Sequence, residues 1–295
     1  MAYVSAVAPF GFPEYADPDR ILAWFARLGY SRCQYYRPRG HGDDVDAVHR
    51  VVRAHGFTIE AMHGHFGADL DISAPDEARR REAVAAFQSE AEVARSMGAG
   101  IVIVHPSSCA QTPQGTAPVD WDGCPTDQPL RRAALERSCA ELAAIGERDG
   151  VIFAIENLPP WFPAGGNAVA LAHLVRSLES EHLRLCFDTG HAHIEACHPG
   201  AQTATSVVNM LSACIDLDVV AYLHVHDNDG RADVHVAPAE GTIDWCALGA
   251  CLADAPPDLP CMMELFMSPA DLDRFERLDA NSLKHQWEHV CGCAG

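Results

Sequence analysis

The sequence contains a single lysine, Lys284, among its 295 residues. Lysine and arginine together number 21 against 41 aspartates and glutamates, which gives a formal net charge of −20. Nucleic-acid binding depends largely on cationic side chains that neutralise phosphates. The deficit therefore argues against a DNA or RNA ligand, and an acidic surface that keeps the protein in solution is its simplest explanation.

Several targeting and cofactor motifs are also missing. No apolar run approaches the ~20 residues needed to cross a membrane, and the first residues, MAYVSAVAPFGFPEY, lack the basic region and long apolar core of a signal peptide. No GxGxxG follows the first apolar run, which disfavours a dinucleotide-binding sheet. The 12 cysteines include no CxxC pair, and a reducing compartment is expected. We predict a soluble, cytoplasmic protein with no membrane partner.

Short apolar runs alternate regularly with amphipathic segments along the whole chain. Eight runs of the kind that form buried parallel strands are separated by helical patterns. The predicted strands cover 3–10, 33–36, 58–66, 100–106, 151–158, 183–190, 220–227 and 260–266. Eight βα units in this length predict one α/β domain over 1–295, a (β/α)8 TIM barrel. A doubly wound open sheet is the alternative.

Two segments between these elements are unusually long. Residues 107–129 follow the fourth predicted strand, and residues 228–242 follow the seventh. Loops of this length inside a compact domain are usually functional lids or disordered segments. Because loops that follow strands lie on the active-site face of a barrel, we predict that both are lids.

Nine residues able to bind a divalent cation lie at or just past the ends of six predicted strands. They are His65, His105, Glu156, Asp188, His191, His224, Asp233, His235 and Glu264. Burying a carboxylate or imidazole there is costly unless the group pairs or binds an ion. Since the strand ends of a barrel meet at one face, we predict a metal site at the carboxyl-terminal face.

The donor types favour two different sets of metals. Three carboxylates and one imidazole come from four consecutive strands: Glu156, Asp188, His224 and Glu264. This set suits one Mn²⁺, Co²⁺ or Mg²⁺ ion. The other five residues exceed the needs of one ion. They would fit two or three ions, with Zn²⁺ or iron favoured by imidazole.

The order of these motifs resembles the xylose-isomerase-like TIM-barrel superfamily, which includes sugar isomerases and epimerases and the endonuclease IV enzymes. The matching motifs are HP, EN, DTGH, HVHDN, DVH and GTIDW, in that order, with a glutamate in the last strand. In the epimerase branch, the resemblance implies that the set of four holds one Mn²⁺-type ion and that His191 contacts the substrate. In the endonuclease IV branch, it implies that all nine residues hold three zinc ions.

The chain departs from the DNA-repair branch in two respects. Ala68 stands where that branch has an aromatic residue, and the loops lack the basic residues that grip a duplex. We therefore expect a metal-dependent sugar or polyol isomerase or epimerase with a small polyhydroxylated or keto substrate. The alternative is an endonuclease-IV-like trinuclear-zinc phosphodiester hydrolase. A barrel without catalysis is disfavoured because both glutamates are intact. The resemblance also allows a homo-oligomer, since family barrels are often dimers or tetramers.

The isomerase interpretation assigns catalysis to two glutamates. Glu156 and Glu264 would stand on opposite sides of a substrate carbon, where one removes a proton and the other returns it. The metal would stabilise the enediolate between these steps. The predicted substrate-binding residues besides His191 are Arg37, Trp161, His226 and Arg231. The arginines would bind a phosphate or carboxylate, and the indole would stack on a sugar ring. His63 and His226 are also predicted to orient ligating groups.

Overall fold

Eight parallel strands close into a barrel in the order in which they occur along the chain. The computed structural model describes residues 2–38, 42, 44–65, 70–108, 129–198, 205–256 and 258–292. The strands are β1 (Tyr3–Pro9), β2 (Arg32–Tyr36), β3 (Thr58–His63), β4 (Ile101–Val104), β5 (Ile152–Glu156), β6 (Leu183–Asp188), β7 (Val220–Val225) and β8 (Pro260–Met263). Because β8 pairs with β1, the sheet has no free edge. The predicted (β/α)8 barrel is confirmed, and the open-sheet alternative is wrong.

Helices follow the strands and cover the outside of the barrel. They are α1 (Pro18–Arg27), α2 (Val45–Ala54), α3 (Glu77–Met97), α4 (Pro129–Asp149), α5 (Ala168–Ser177), α6 (Thr189–Cys197), α7 (Val207–Asp216), α8 (Trp245–Ala253), α9 (Pro269–Phe275) and α10 (Ala280–Val290). Local caps explain several of their starts. The Asp17 side chain accepts a hydrogen bond from the Asp19 backbone N–H, with Pro18 in the first turn. No helix in these described ranges is long and apolar enough to span a membrane.

One helix begins inside a predicted strand. Residues 189–190 were expected to extend the sixth strand, but α6 starts at Thr189. The reason is local, because the Asp188 carboxylate accepts a hydrogen bond from the His191 N–H at 2.6 Å and so caps the helix. Asp188 therefore ends a strand and begins a helix at once.

The barrel and helices share one continuous apolar core. Alternate strand residues pack outward against the helices, and α10 closes the layer over α1, where the buried Trp287 ring lies 5.5 Å from that of Trp24. The strand register then sets the height of the polar side chains. Asp188 pairs with His224, and Glu156 is the last residue of β5. These groups therefore reach the carboxyl end of the barrel together.

Two sequence-based predictions fall on parts of the chain outside the described ranges. Residues 109–128, which make up most of the predicted lid at 107–129, are among them. So is Ala68, the position at which the sequence departs from the DNA-repair pattern. Both therefore stay predictions.

Candidate metal centre

Four side chains converge at the carboxyl end of the strands to form what we call the central group. It consists of Glu156, Asp188, His224 and Glu264, whose ligand atoms all lie within 4.8 Å of one another. His224 Nδ1 is 3.1 Å from Glu264 Oε2 and 3.3 Å from Glu156 Oε1. All four residues are buried. Three carboxylates and an imidazole around one point are the donor set of a hard or borderline divalent cation.

Three ligand atoms of the central group are buried without a hydrogen-bond partner among the described residues. They are Glu156 Oε2, His224 Nδ1 and Glu264 Oε2. A buried polar atom left in this state costs about 1–3 kcal/mol. A divalent cation satisfies such atoms directly, because carboxylate oxygens and a ring nitrogen are its ligands. The residues present therefore fit the metal that the sequence predicts.

A second cluster, the outer group, lies beside the first. It contains His191, His226, Asp233 and His235. Asp233 lies between two imidazoles, 3.2 Å from His191 Nε2 and 3.1 Å from His235 Nε2. Asp233 Oδ1 is also buried without a hydrogen-bond partner in the described part of the chain. This group has the imidazole-rich character that suits Zn²⁺ or iron.

A third set of donors shares Glu156 with the central group. His105 Nε2 is 3.3 Å from Glu156 Oε2, and His63 Nε2 is 3.6 Å from the same oxygen. The sequence predicted His65 in this position, but β3 ends at His63. The His65 ring instead lies 3.2 Å from Glu90 and contacts Arg37. The structure thus brings eight of the nine predicted ligands together and replaces His65 with His63.

The carboxylates and imidazoles in these groups shift one another's pKa values. Burial raises the pKa of the Glu264 carboxyl, but the imidazoles of His224 and His235 outweigh it and bring the pKa to about 2. Burial likewise opposes ionisation of Glu156, yet His224 and His105 hold its pKa well below the ordinary value. Burial lowers the pKa of His235, while Asp233 raises it to about 9. The carboxylates of Glu156 and Glu264 are therefore ionised at neutral pH, held in that state by the imidazoles beside them.

Asn157, which the sequence analysis did not single out, holds two ligands in place. Its side-chain oxygen accepts a hydrogen bond from the Asp188 backbone N–H at 2.8 Å, and its amide donates to the Asp188 carbonyl at 3.0 Å. Its own carbonyl lies 2.8 Å from His191 Nδ1. The EN dipeptide was the available sign, since its asparagine follows a predicted ligand directly.

The loop at 228–242 carries Asp233 and His235 to the outer group. The buried Asp227 carboxylate organises it by accepting hydrogen bonds from Ala239 N at 3.0 Å and from Trp245 Nε1 at 2.7 Å. Gly241 passes so close that a Cβ there would lie 2.3 Å from Asp227 Oδ1. The predicted lid is therefore a loop tied to the barrel at its base, and its motion stays untested.

The predicted substrate-binding residues have different surroundings. His226 is fully buried, 3.1 Å from Asp188, and its ring stacks on His235. Arg37 is buried and paired with Glu90 at 3.0 Å. Trp161 is only 7% exposed, which leaves little of the indole for a substrate. Arg231 is exposed on the loop that follows β7.

An aromatic wall, also missed by the sequence analysis, lines one side of the barrel mouth. The Phe12 ring stacks on Tyr36 at 4.8 Å, and Tyr36 meets His63 edge to face. Phe266 contacts both Tyr15 and His235 and is 46% exposed. The wall offers an uncharged surface next to the acidic groups.

Two kinds of sequence comparison identify relatives. A family model described as xylose isomerase-like TIM barrel matches residues 22–284. Two uncharacterised proteins of Methanocaldococcus jannaschii are each 24% identical, over 189 and 183 residues. These matches cover 62% and 60% of this chain but only 56% and 59% of the relatives. The chain therefore spans somewhat more than half the length of these curated relatives.

Solved structures with the same fold include several sugar epimerases. A D-psicose 3-epimerase from Clostridium cellulolyticum H10 is 15% identical, with a TM-score of 0.69 over 97% of this chain and 99% of that one. An L-ribulose 3-epimerase is 17% identical, with a TM-score of 0.71 over 99% and 94%. The 3-keto-D-glucoside 4-epimerase of E. coli is 16% identical, with a TM-score of 0.67 over 99% and 100%. At these identities the likeness is one of fold.

Proposed function

The chain belongs to the xylose isomerase-like TIM barrel family, and from that premise we propose that it is a divalent-cation-dependent sugar or polyol isomerase or epimerase. Its substrate in this proposal is a small polyhydroxylated molecule with a carbonyl group. The observation that carries the proposal is the central group, with its buried carboxylates, its imidazole and its three orphaned ligand atoms. The epimerase names of the three solved structures agree with it.

The cation would be held by the four residues of the central group. Mn²⁺, Co²⁺ or Mg²⁺ is expected for a single ion, since three of the four donors are carboxylates. When bound, such an ion polarises a carbonyl and a neighbouring hydroxyl and so acidifies the C–H bond beside them.

Proton transfer is assigned to Glu156 and Glu264. Glu156 ends β5 and Glu264 follows β8, strands that are not neighbours in the barrel. In this proposal the two carboxylates, both close to His224, stand on opposite sides of the substrate carbon. One carboxylate removes the proton from the acidified carbon, and the other returns a proton that it first receives from a neighbouring imidazole, His105 beside Glu156 or His235 beside Glu264. Return to the opposite face of the same carbon gives an epimer, whereas return to the neighbouring carbon exchanges aldose and ketose.

Two features beside the central group support this assignment. His105 Nε2, 3.3 Å from Glu156 Oε2, is within reach to exchange the transferred proton, and its side chain is 16% exposed to solvent. The aromatic wall next to Glu264 offers flat apolar surface against which the C–H face of a sugar packs. The outer group, with His191, would contact the substrate or hold a second ion.

The test is hydrogen exchange into a substrate. Chelator-treated protein is reloaded separately with Mn²⁺, Co²⁺, Mg²⁺ or Zn²⁺ and incubated with ketohexoses and ketopentoses in D₂O. We expect loss of the proton signal beside the carbonyl, only with cation present, and loss of this activity in Glu264→Gln. Glu60→Gln, which alters a half-buried carboxylate at the other end of the barrel, is the matched control. A wild-type protein that binds none of these cations would overturn the proposal.

A second candidate is a phosphodiester hydrolase with three zinc ions. The observation in its favour is that the outer group and the His63–His105–Glu156 set supply donors beyond those of one ion. The net charge of −20 opposes it, because a nucleic-acid backbone would be repelled. Three zinc ions per chain together with cleavage of abasic duplex DNA would place this function first. We expect neither binding nor cleavage of DNA.

A further inference from the structure

A glutamine inside the barrel contacts the far side of the imidazole in the central group. Gln34 lies on β2 and His224 on β7, and neither has any exposed surface. Gln34 Nε2 is 2.9 Å from His224 Nε2. The other ring nitrogen, Nδ1, faces the carboxylates of Glu156 and Glu264. The imidazole is therefore held between an amide and a set of acids.

The two ring nitrogens of His224 have linked roles. A neutral imidazole carries one proton, so one nitrogen donates and the other offers its lone pair. A cation in the central group needs the lone pair of Nδ1, because that is the nitrogen among the carboxylates. The proton must then sit on Nε2, where burial makes a hydrogen-bond acceptor necessary.

Gln34 is the residue placed to supply that acceptor. Its amide carries a donor and an acceptor that exchange places by a half-turn of the side-chain end. Its Oε1 is buried and has no hydrogen-bond partner within the described ranges, so no other bond is lost when it turns to Nε2. Cys186 also lies beside His224, but a thiol is a weak acceptor.

We propose that Gln34 is a positioning residue, whose amide oxygen accepts the Nε2–H of His224 and thereby reserves Nδ1 for the cation. This inference rests on the proposed cation site but not on which substrate or reaction that site serves. Partners of this kind fix the tautomer and orientation of ligating histidines.

The direct test is made on the wild-type protein, and one variant serves only to assign its signals. In ¹⁵N-histidine-labelled protein loaded with Zn²⁺, long-range ¹H–¹⁵N NMR distinguishes the two tautomers, and His224→Gln identifies the signals by their absence. We expect a slowly exchanging proton on Nε2 and a metal-shifted Nδ1. A proton on Nδ1 in the loaded protein would overturn the inference.

Variants of Gln34 provide the second readout. Gln34→Leu removes the acceptor at similar volume, and we expect Zn²⁺ affinity to fall about 10- to 100-fold. Gln34→Glu keeps an acceptor and should recover affinity relative to leucine. Gln88→Leu on α3 is the control and should bind Zn²⁺ as the wild type does. Urea unfolding of each variant checks that it is folded.

The outcomes separate this inference from the function proposed above. If the wild type binds Zn²⁺ and Gln34→Leu binds it equally well, the role of Gln34 is wrong and the cation site stands. If the wild type binds no cation, the cation site and the role of Gln34 fall together.

Discussion

Two carboxylate sites, one half-buried and one buried, lie at opposite ends of the barrel and differ in their hydrogen-bond partners. Toward the amino end, Glu60 accepts hydrogen bonds from the hydroxyls of Tyr3 at 2.5 Å and Tyr222 at 3.1 Å. At the carboxyl end, Glu156 and Glu264 each keep one buried oxygen without a hydrogen-bond partner among the described residues. At the amino end, hydroxyl groups of the protein satisfy the carboxylate. At the carboxyl end, two buried oxygens remain available to a ligand.

The pKa shifts at the two ends differ in direction as well. Burial raises the pKa of Glu60, and its hydrogen bonds to Ser5 and Tyr3 only partly offset this. At Glu264 the neighbouring imidazoles outweigh burial and the pKa is about 2. Burial alone therefore does not mark a ligand site. Ionised acids with buried oxygens that lack a hydrogen bond do so, because such oxygens can still bind a cation.

The two ends should differ most in what their substitution does to the rate of deuterium exchange. We expect Glu264→Gln to slow deuterium exchange into the substrate by about 10²- to 10⁴-fold, because it removes a carboxylate that transfers the proton. Glu60→Gln should leave the rate unchanged. Rates are measured by NMR with saturating Mn²⁺. Equal rates in the two variants would remove the distinction between the ends.

Added cation should also stabilise the variants of the two ends to different extents. A ligand that binds only the folded state at 100 times its Kd raises the free energy of unfolding by about 2.7 kcal/mol. We expect this gain in the wild type and in Glu60→Gln, and a much smaller one in Glu264→Gln. Urea unfolding with and without Mn²⁺ measures it. A full gain in Glu264→Gln would mean that the cation binds elsewhere.

A half-buried carboxyl on the outside of the barrel, Glu195 on α6, shows the effect of burial through pH. It accepts a hydrogen bond from the Ala168 N–H at 3.0 Å, but burial dominates and raises its pKa to about 7 from an ordinary 4.5. Because the folded-state pKa is the higher one, its favourable contribution is complete below pH 4.5 and is lost as the pH rises through 7.

Glu195→Gln should therefore gain stability relative to the wild type between pH 5 and pH 8. We expect roughly 2 kcal/mol, after allowing for solvent screening at the exposed edge of the side chain. Urea unfolding at the two pH values measures the difference. A constant difference between wild type and Glu195→Gln would contradict the assignment.

The barrel could be predicted because its signal is repeated eight times. Each buried strand needs a short apolar run, and each run is followed by a helical pattern, so errors of two or three residues at strand ends do not change the topology. The ligand types at strand ends were visible for the same reason. Acids and imidazoles that follow a buried strand have only one face of a barrel to reach.

The remaining details depend on geometry that sequence patterns do not carry. Whether His63 or His65 meets Glu156 is decided by where β3 ends and by a register shift beside Gln34. Gln34 and Glu60 gave no signal because a polar residue within an apolar run does not reveal its partner across the barrel. Long-range pairs of this kind become visible only when the strands close.

The stability of cation-free protein gives a further comparison of the two ends. Glu60→Gln replaces an acceptor of two tyrosine hydroxyls with one that can receive only one of them, and we expect a loss of about 1 kcal/mol in the free energy of unfolding. Glu264→Gln removes a carboxylate whose pKa is lowered to about 2 by the imidazoles of His224 and His235, so we expect it to lower the free energy of unfolding at neutral pH as well. Urea unfolding in the presence of a chelator measures both. If Glu264→Gln were as stable as the wild type under these conditions, the imidazoles would not be stabilising the ionised acid, and the contrast with Glu60 in cation-free protein would disappear.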